Sequence, residues 1–268
     1  MKKILIIGAG FLQSFVIKKA RDMGYYTITI DKNPNSVGFQ YADEYEVIDI
    51  TDCETSLKYA LSKNIDGVMT AATDYGVITT SYIAKHMNLP GLNLDVAKLV
   101  KNKYLVRKTL YENEVDDLSQ FYEVSSVHEI DKISSSIKFP VIVKPSDGSG
   151  SKGIRKVANI EELKNACNIA IKSSLRGTAL VEDFIKGREY GVESFVYKGK
   201  VHVLSVMGKY MTESPNYAEL GHFIPSKLSI EKKVKDTVIR AITAIGINFG
   251  AVNMDVIVTE DNRVCIID

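Results

Sequence analysis

A lysine, a loop of glycines and serines, and a pair of aspartates carry the most legible chemistry of this 268-residue chain. Lys144 closes the apolar run Val141-Ile142-Val143 and leads into Pro145-Ser146-Asp147-Gly148-Ser149-Gly150-Ser151-Lys152-Gly153. A lysine at the end of an apolar strand either snorkels to water or meets an anion. The loop adds glycine-freed backbone N–H groups, hydroxyls and an ammonium, the donors a polyphosphate needs. Its spacing is not that of a GxxxxGK[ST] loop. An ordinary surface loop is the alternative, and the lysine before it favours phosphate.

The aspartates lie near the end of the chain. A two-residue turn at Asp261-Asn262, whose residue types tolerate positive φ, pairs Glu260 with Arg263 and puts Asp255 opposite Asp268. Facing side chains have Cβ atoms about 5 Å apart, and like charges there repel. A divalent cation between them turns repulsion into binding. A raised pKa on one acid, or a register shifted by one residue, remains the bland alternative. Between the loop and these acids, Val181-Glu182-Asp183-Phe184-Ile185-Lys186-Gly187-Arg188-Glu189 joins two strands. Its acid, aromatic and aliphatic side chains suit a flat base and its later acid a sugar hydroxyl, although acids between strands are commonplace.

A further glycine turn, Gly8-Ala9-Gly10-Phe11-Leu12-Gln13, joins the first strand to the first helix, and Asp31 ends the second strand. A dinucleotide site wants a small residue where Gln13 stands, so a tight turn without nucleotide is favoured over NAD binding. Charge is balanced, with 34 Lys plus Arg against 33 Asp plus Glu, which gives no electrostatic footprint for nucleic acid or an anionic membrane. The apolar run after Met1-Lys2-Lys3 stops at Gly8, too short for a signal segment or a membrane span, so a cytoplasmic setting is expected. Cys53, Cys167 and Cys265 are far apart and odd in number, against a disulfide framework.

These groups are positioned by two kinds of pattern. Residues 1–95 alternate strand and helix, the signature of a doubly wound parallel sheet, with an apolar stripe at 11, 12, 15, 16 and 20 facing inward from the first helix. After Leu89-Pro90-Gly91 the pattern becomes mixed α+β with antiparallel pairs: helices at 94–100, 102–112, 126–137, 160–172 and 230–245, and strands at 120–124, 141–144, 178–182, 189–197, 200–207, 220–224, 250–258 and 263–268. The last stretch is an apolar strand without a stop signal, so a longer native protein is expected.

Taken together, the motifs resemble the ATP-grasp superfamily of carboxylate–amine ligases over essentially the whole chain. The resemblance implies an α/β fold: a Rossmann-like domain at 1–95, a small lid subdomain at 96–180 and a large subdomain at 181–268, incomplete at its C-terminus. It implies that Lys103, after Asn102, and Lys144 contact ATP phosphates. Ser149, Gly150, Ser151, Lys152 and Gly153 form the lid, and Glu182, Asp183, Phe184 and Ile185 the adenine hinge. Glu189 binds ribose, while Asp255 and Asp268 hold Mg2+, with Mn2+ as a substitute. Glu219-Leu220-Gly221-His222-Phe223-Ile224-Pro225-Ser226 resembles the GHxxPS element of amino-acid ligases, which makes His222 a candidate for substrate contact or equally a structural histidine. The implied reaction is phosphorylation of a carboxylate by ATP, then displacement of phosphate by an amine. Partners are then small-molecule substrates, with a homodimer as a further expectation and neither nucleic acid nor membrane. A nucleotide-binding module without turnover and an NAD-dependent oxidoreductase are the alternatives. Lys144→Ala is expected to weaken ATP binding with little loss of stability.

Overall fold

Apolar strands alternating with amphipathic helices build the first of two units, Met1–Lys98, and a mixed set of elements builds the second, Leu99–Asp268. The computed structural model describes residues 1–148, 153–212 and 218–268.

In the first unit the strands are β1 (Lys3–Ile7), β2 (Tyr26–Asp31), β3 (Glu44–Val47) and β4 (Gly67–Thr70), with helices α1 (Phe11–Asp22), α2 (Cys53–Lys63) and α3 (Val77–His86). The sheet runs β3-β2-β1-β4 and is parallel throughout. Both faces are covered, as parallel sheets require. Leu5, Ile7, Ile28 and Ile30 pack with Leu57, Ala60 and Ile83 on one side, and Ile6 packs with Ile17, Ala20 and Phe39 on the other.

The first helix differs from the sequence expectation. Its inward residues are Gln13, Ser14, Ile17 and Ala20, while Phe11, Leu12 and Phe15 are more than half exposed. The cause is a polar anchor. Gln13 Nε2 donates to the carbonyls of Ala71 (2.7 Å) and Ala72 (3.1 Å), which fixes the helix rotation. The same side chain fills the space beside Gly10, where an added Cβ would lie 2.8 Å from Gln13 Oε1. Asp31 is also used internally, accepting from Ala9 N (2.8 Å) and Asn33 N (2.9 Å). Neither residue is placed to read a dinucleotide. Gln13→Ala should therefore cost about 1–2 kcal/mol of stability in urea titration, because two carbonyls lose their donor, and should create no affinity for NADH.

In the second unit α5 (Lys103–Glu112) follows α4 (Leu94–Val100), which spans the boundary. Strands β5 (Phe121–Val124), β6 (Val141–Pro145), β7 (Arg155–Val157) and β8 (Ala179–Asp183) form an antiparallel sheet ordered β5-β8-β6-β7. Helices α6 (Val127–Ile133) and α7 (Ile160–Ser173) close its core, with Ile130, Leu163 and Cys167 packed on Val141, Val143 and Val181. The remaining strands are β9 (Arg188–Tyr197), β10 (Lys200–Met211), β11 (Glu219–Phe223), β12 (Gly250–Val258) and β13 (Val264–Ile266), in the order β11-β10-β9-β12-β13. Helix α8 (Glu231–Ile245) packs on β10 and β13.

The terminal hairpin departs from the expected register. Its loop has three residues, Glu260-Asp261-Asn262: Thr259 pairs with Arg263, Asn262 N donates to Thr259 O at 3.0 Å, and Asn262 takes φ 61°. A type I turn followed by a left-handed residue is a favoured three-residue hairpin. Val256 then pairs with Ile266, one residue away from the register of a two-residue turn. A β-bulge takes the shift back, since Ile267 N (2.8 Å) and Asp268 N (3.4 Å) both donate to Asp255 O while Asp255 N donates to Asp268 O (3.0 Å). Asp255 thus still lies opposite Asp268, by another route.

Candidate functional site

A buried ion network lies beneath the cleft of the second unit. Asn102 caps α5 by accepting from Tyr104 N (2.9 Å) and Leu105 N (3.2 Å), and Lys103 N donates to Ser146 O at 2.8 Å, which ties the helix start to the end of β6. One turn on, the buried Arg107 pairs with Asp116 (2.9 Å) and Glu182 (3.2 Å) and donates to Ile266 O. Glu182 also meets Lys144 at 2.6 Å, and Lys144 Nζ donates to Ile267 O at 2.7 Å. Burial, the largest influence on Glu182, pushes its carboxyl up, but Lys144 and Arg107 outweigh it and hold the group below the usual carboxylate range. One network thus joins α5, β6, β8 and the bulged hairpin.

Lys144 is therefore structural as well as available to a ligand. These contacts argue against the expectation that its truncation spares stability, because Lys144→Ala would strip Glu182 of one of its two cationic partners. Glu182 is likewise no free hinge acid: its carboxylate is spent inside, and only its backbone remains for a base.

Above this network, a cavity of about 760 Å³ is lined by Lys103, Lys144, the hinge residues Glu182, Asp183, Phe184 and Ile185, Glu189, Asp255 and Asp268, within the usual range for small-molecule sites. Lys103 Nζ is ion-paired with Asp268. Packing around Asp268 pushes its carboxyl up, but Lys103 and Lys144 together hold it low. Asp255 behaves oppositely. Burial pushes its carboxyl up, Asp268 and Glu219 add to that, and the neighbouring Lys209 only partly offsets them. Burial also raises Glu189. Asp183 accepts from Gln120 (2.9 Å), and Lys156 sits 4.0 Å from the Phe184 ring centroid.

The flanks of the glycine–serine loop are fixed. Asp147 accepts from Ser174 Oγ, Leu175 N and Arg176 N, and Gly148 and Gly153 take φ of +114° and +77°. Ser149, Gly150, Ser151 and Lys152 lie outside the described residues. His222 stands on the edge strand β11, its Nε2 3.5 Å from Glu219 Oε2, and is not part of the cavity lining. Cys167 and Cys265 are core residues whose thiols burial pushes up to about 12 and about 11.

Two participants have no sequence motif. Arg107 looks like a helix-surface arginine, and Lys209 sits in a strand between Gly208 and Tyr210. Lys209 is nonetheless buried, with its ammonium 2.6 Å from Asp255 and 3.0 Å from Glu219. Burial acts to lower its pKa, but the two carboxylates reverse that and raise it. The available signal was Gly191, whose missing side chain opens the neighbouring strand.

Asp255 and Asp268 could hold a divalent cation. Their oxygens are hard donors, each matched in this structure by a lysine. Among the described residues no cluster of three or more His, Cys, Asp and Glu side chains forms a metal cage.

The cleft of the second unit brings Lys103, Lys144 and Lys209 together with the carboxylates of Asp255 and Asp268. Residues 137–268 match the ATP-grasp domain. The structure of phosphoribosylglycinamide synthetase from Anaerococcus prevotii is 31% identical, with a TM-score of 0.77 over 100% of this chain and 67% of that one. The chain belongs to the ATP-grasp superfamily of ligases. The formate-dependent phosphoribosylglycinamide formyltransferase of Prochlorococcus marinus is 31% identical over 196 residues, 69% of this chain and 48% of that protein. The chain thus spans about half the length of that curated relative. A 2-oxoglutarate carboxylase biotin carboxylase domain from Hydrogenobacter thermophilus, solved with MgADP and bicarbonate, shares the fold at 23% identity, with a TM-score of 0.81 over 100% of this chain and 63% of that one. No helix among the described residues is long and apolar enough to cross a membrane.

Proposed function

We propose that this chain carries the nucleotide site of an ATP- and magnesium-dependent ligase that joins a carboxylate to an amine and releases ADP and phosphate. The observation that carries the reading is the convergence of Lys103, Lys144, the 182–185 hinge, Glu189, Asp255 and Asp268 on one cavity. Phosphoryl transfer asks for charge neutralisation and alignment more than for a protein nucleophile, and the cleft offers both. Lys103 and Lys144 leave Asp268 and Glu182 to neutralise phosphate oxygens. The hinge backbone holds the base, and Glu189 binds the sugar hydroxyls. Asp255 and Asp268 would hold magnesium, which supplies charge compensation at the phosphates. In this reading β5-β8-β6-β7 belongs to the lid part and the five-stranded sheet to the large part. The parallel unit before them is the Rossmann-like substrate domain.

The test is ADP release by the full-length protein, across formate, bicarbonate and amino acids paired with small amines. Release that depends on both substrates is expected. Binding of Mg-ATP without release from any pair would overturn the ligase reading and leave a nucleotide-binding module.

A further inference from the structure

Lys209 is a buried cation in the cleft that the reading above does not use. Its place is set by the sheet. On one face, β10 presents Met207 and Lys209, β9 presents Glu189 and Gly191, and β12 presents Asp255. Gly191 pairs with both Met207 and Asp255, so it lies directly between Asp255 and β10. Any side chain at 191 would stand in the path from Lys209 to Asp255. A Cβ built there meets Lys209 Cε at 3.4 Å, Met207 Cε at 3.4 Å and His222 Nε2 at 3.5 Å. The lysine stem crosses β9 over this gap and delivers its ammonium to Asp255, two strands away.

The ammonium is held from two sides, by Asp255 at 2.6 Å and Glu219 at 3.0 Å. Its side chain is only 5% exposed, so the contact is sheltered from water and salt. Asp255 is the carboxylate that the proposed function gives to magnesium. A monovalent ammonium and a divalent ion cannot both sit against the same carboxylate oxygen without repelling each other. Glu219 gives the lysine somewhere to remain when Asp255 is taken.

We infer that Lys209 is a built-in competitor of the divalent cation: it neutralises Asp255 until a metal–nucleotide arrives, then stays on Glu219 with its ammonium turned into the cavity. The inference rests on the nucleotide reading of the cleft. It makes Lys209 a positioning residue with two consequences. The empty cleft has a compensated carboxylate and little affinity for free magnesium. The loaded cleft gains a positive charge on the side away from Lys103 and Lys144, where an anionic acceptor group can meet it.

The experiment is a calorimetric titration of ADP into the protein at a series of magnesium concentrations, which reads the magnesium midpoint without turnover. Lys209→Met keeps the stem and removes the charge. Its midpoint should fall about fivefold or more relative to the unaltered chain. Lys186→Met removes an exposed charge from the same cavity rim and should move the midpoint less than twofold. Lys209→Gln serves as the second variant and should shift in the same direction as Lys209→Met. An unmoved or raised midpoint in the folded Lys209 variants, with ADP still bound at saturating magnesium, overturns the inference alone. Failure of the unaltered chain to bind Mg-ADP overturns the nucleotide reading and the inference with it.

Discussion

Glu182→Gln should lower the stability of the second unit by about 3 kcal/mol at pH 7, the scale seen when one member of a buried ion network is removed. Gln keeps the shape but leaves Lys144 and one side of Arg107 uncompensated. The pH dependence gives the sign. Because Lys144 and Arg107 outweigh burial, the folded carboxyl titrates below its ordinary value of about 4.5. Its stabilisation is therefore complete above that value and is lost as pH falls through the lower, folded one. Urea titrations at pH 7 and at successive acid steps should show the two proteins far apart near neutrality and converging in acid. A constant gap down to strongly acid pH would mean that Glu182 acts through packing alone.

The second large effect concerns the opposite wall. Asp255→Asn should lower magnesium-dependent ADP affinity by tenfold or more, about 1.4 kcal/mol, while leaving the nucleotide-free fold intact. Burial raises the Asp255 carboxyl, so its charged form is disfavoured on folding. Such a group stabilises fully only below its unfolded-state value, and that contribution is lost as pH rises through the folded one. The charged carboxylate thus weakens the fold, and the amide removes that cost, although Lys209 gives up one partner and keeps Glu219. The melting temperature without nucleotide should not fall. A large drop in it, with magnesium dependence preserved, would make Asp255 a structural anchor for Lys209 and nothing more.

Much of the site was readable because local chemistry and strand periodicity agree there. Lys144 at the end of an apolar strand, Asn102-Lys103 at a helix start and residues 182–185 at the end of β8 all lie on elements that the pattern predicts, while their roles came from the family resemblance. The α8 stripe was equally plain, with Val234, Val238, Ile242 and Ile245 all buried. The misses share a cause: long-range polar contacts outvoted local pattern. Gln13 turned α1 away from its apolar stripe by bonding to residues 71 and 72. Arg107 reads as exposed on a helix, yet its partners lie nine, 75 and 159 residues away. The Asp255–Asp268 pairing was reached from sequence through the wrong turn, because neither a three-residue loop nor a bulge leaves a periodic trace. Lys209 could be seen only once three strands were aligned side by side.

The bulge in the last strand has a mechanical side. In an uninterrupted ladder the carbonyl of Ile267 would be committed to its neighbour or to solvent, but here Asp255 N takes the next carbonyl along and Ile267 O receives Lys144. That carbonyl acts as a cleat to which the lysine is moored. Casting off gives up that hydrogen bond and the ion pair with Glu182 but unzips none of the sheet, so in the proposed reaction Lys144 passes to an incoming phosphate and returns after product leaves with the strands undisturbed.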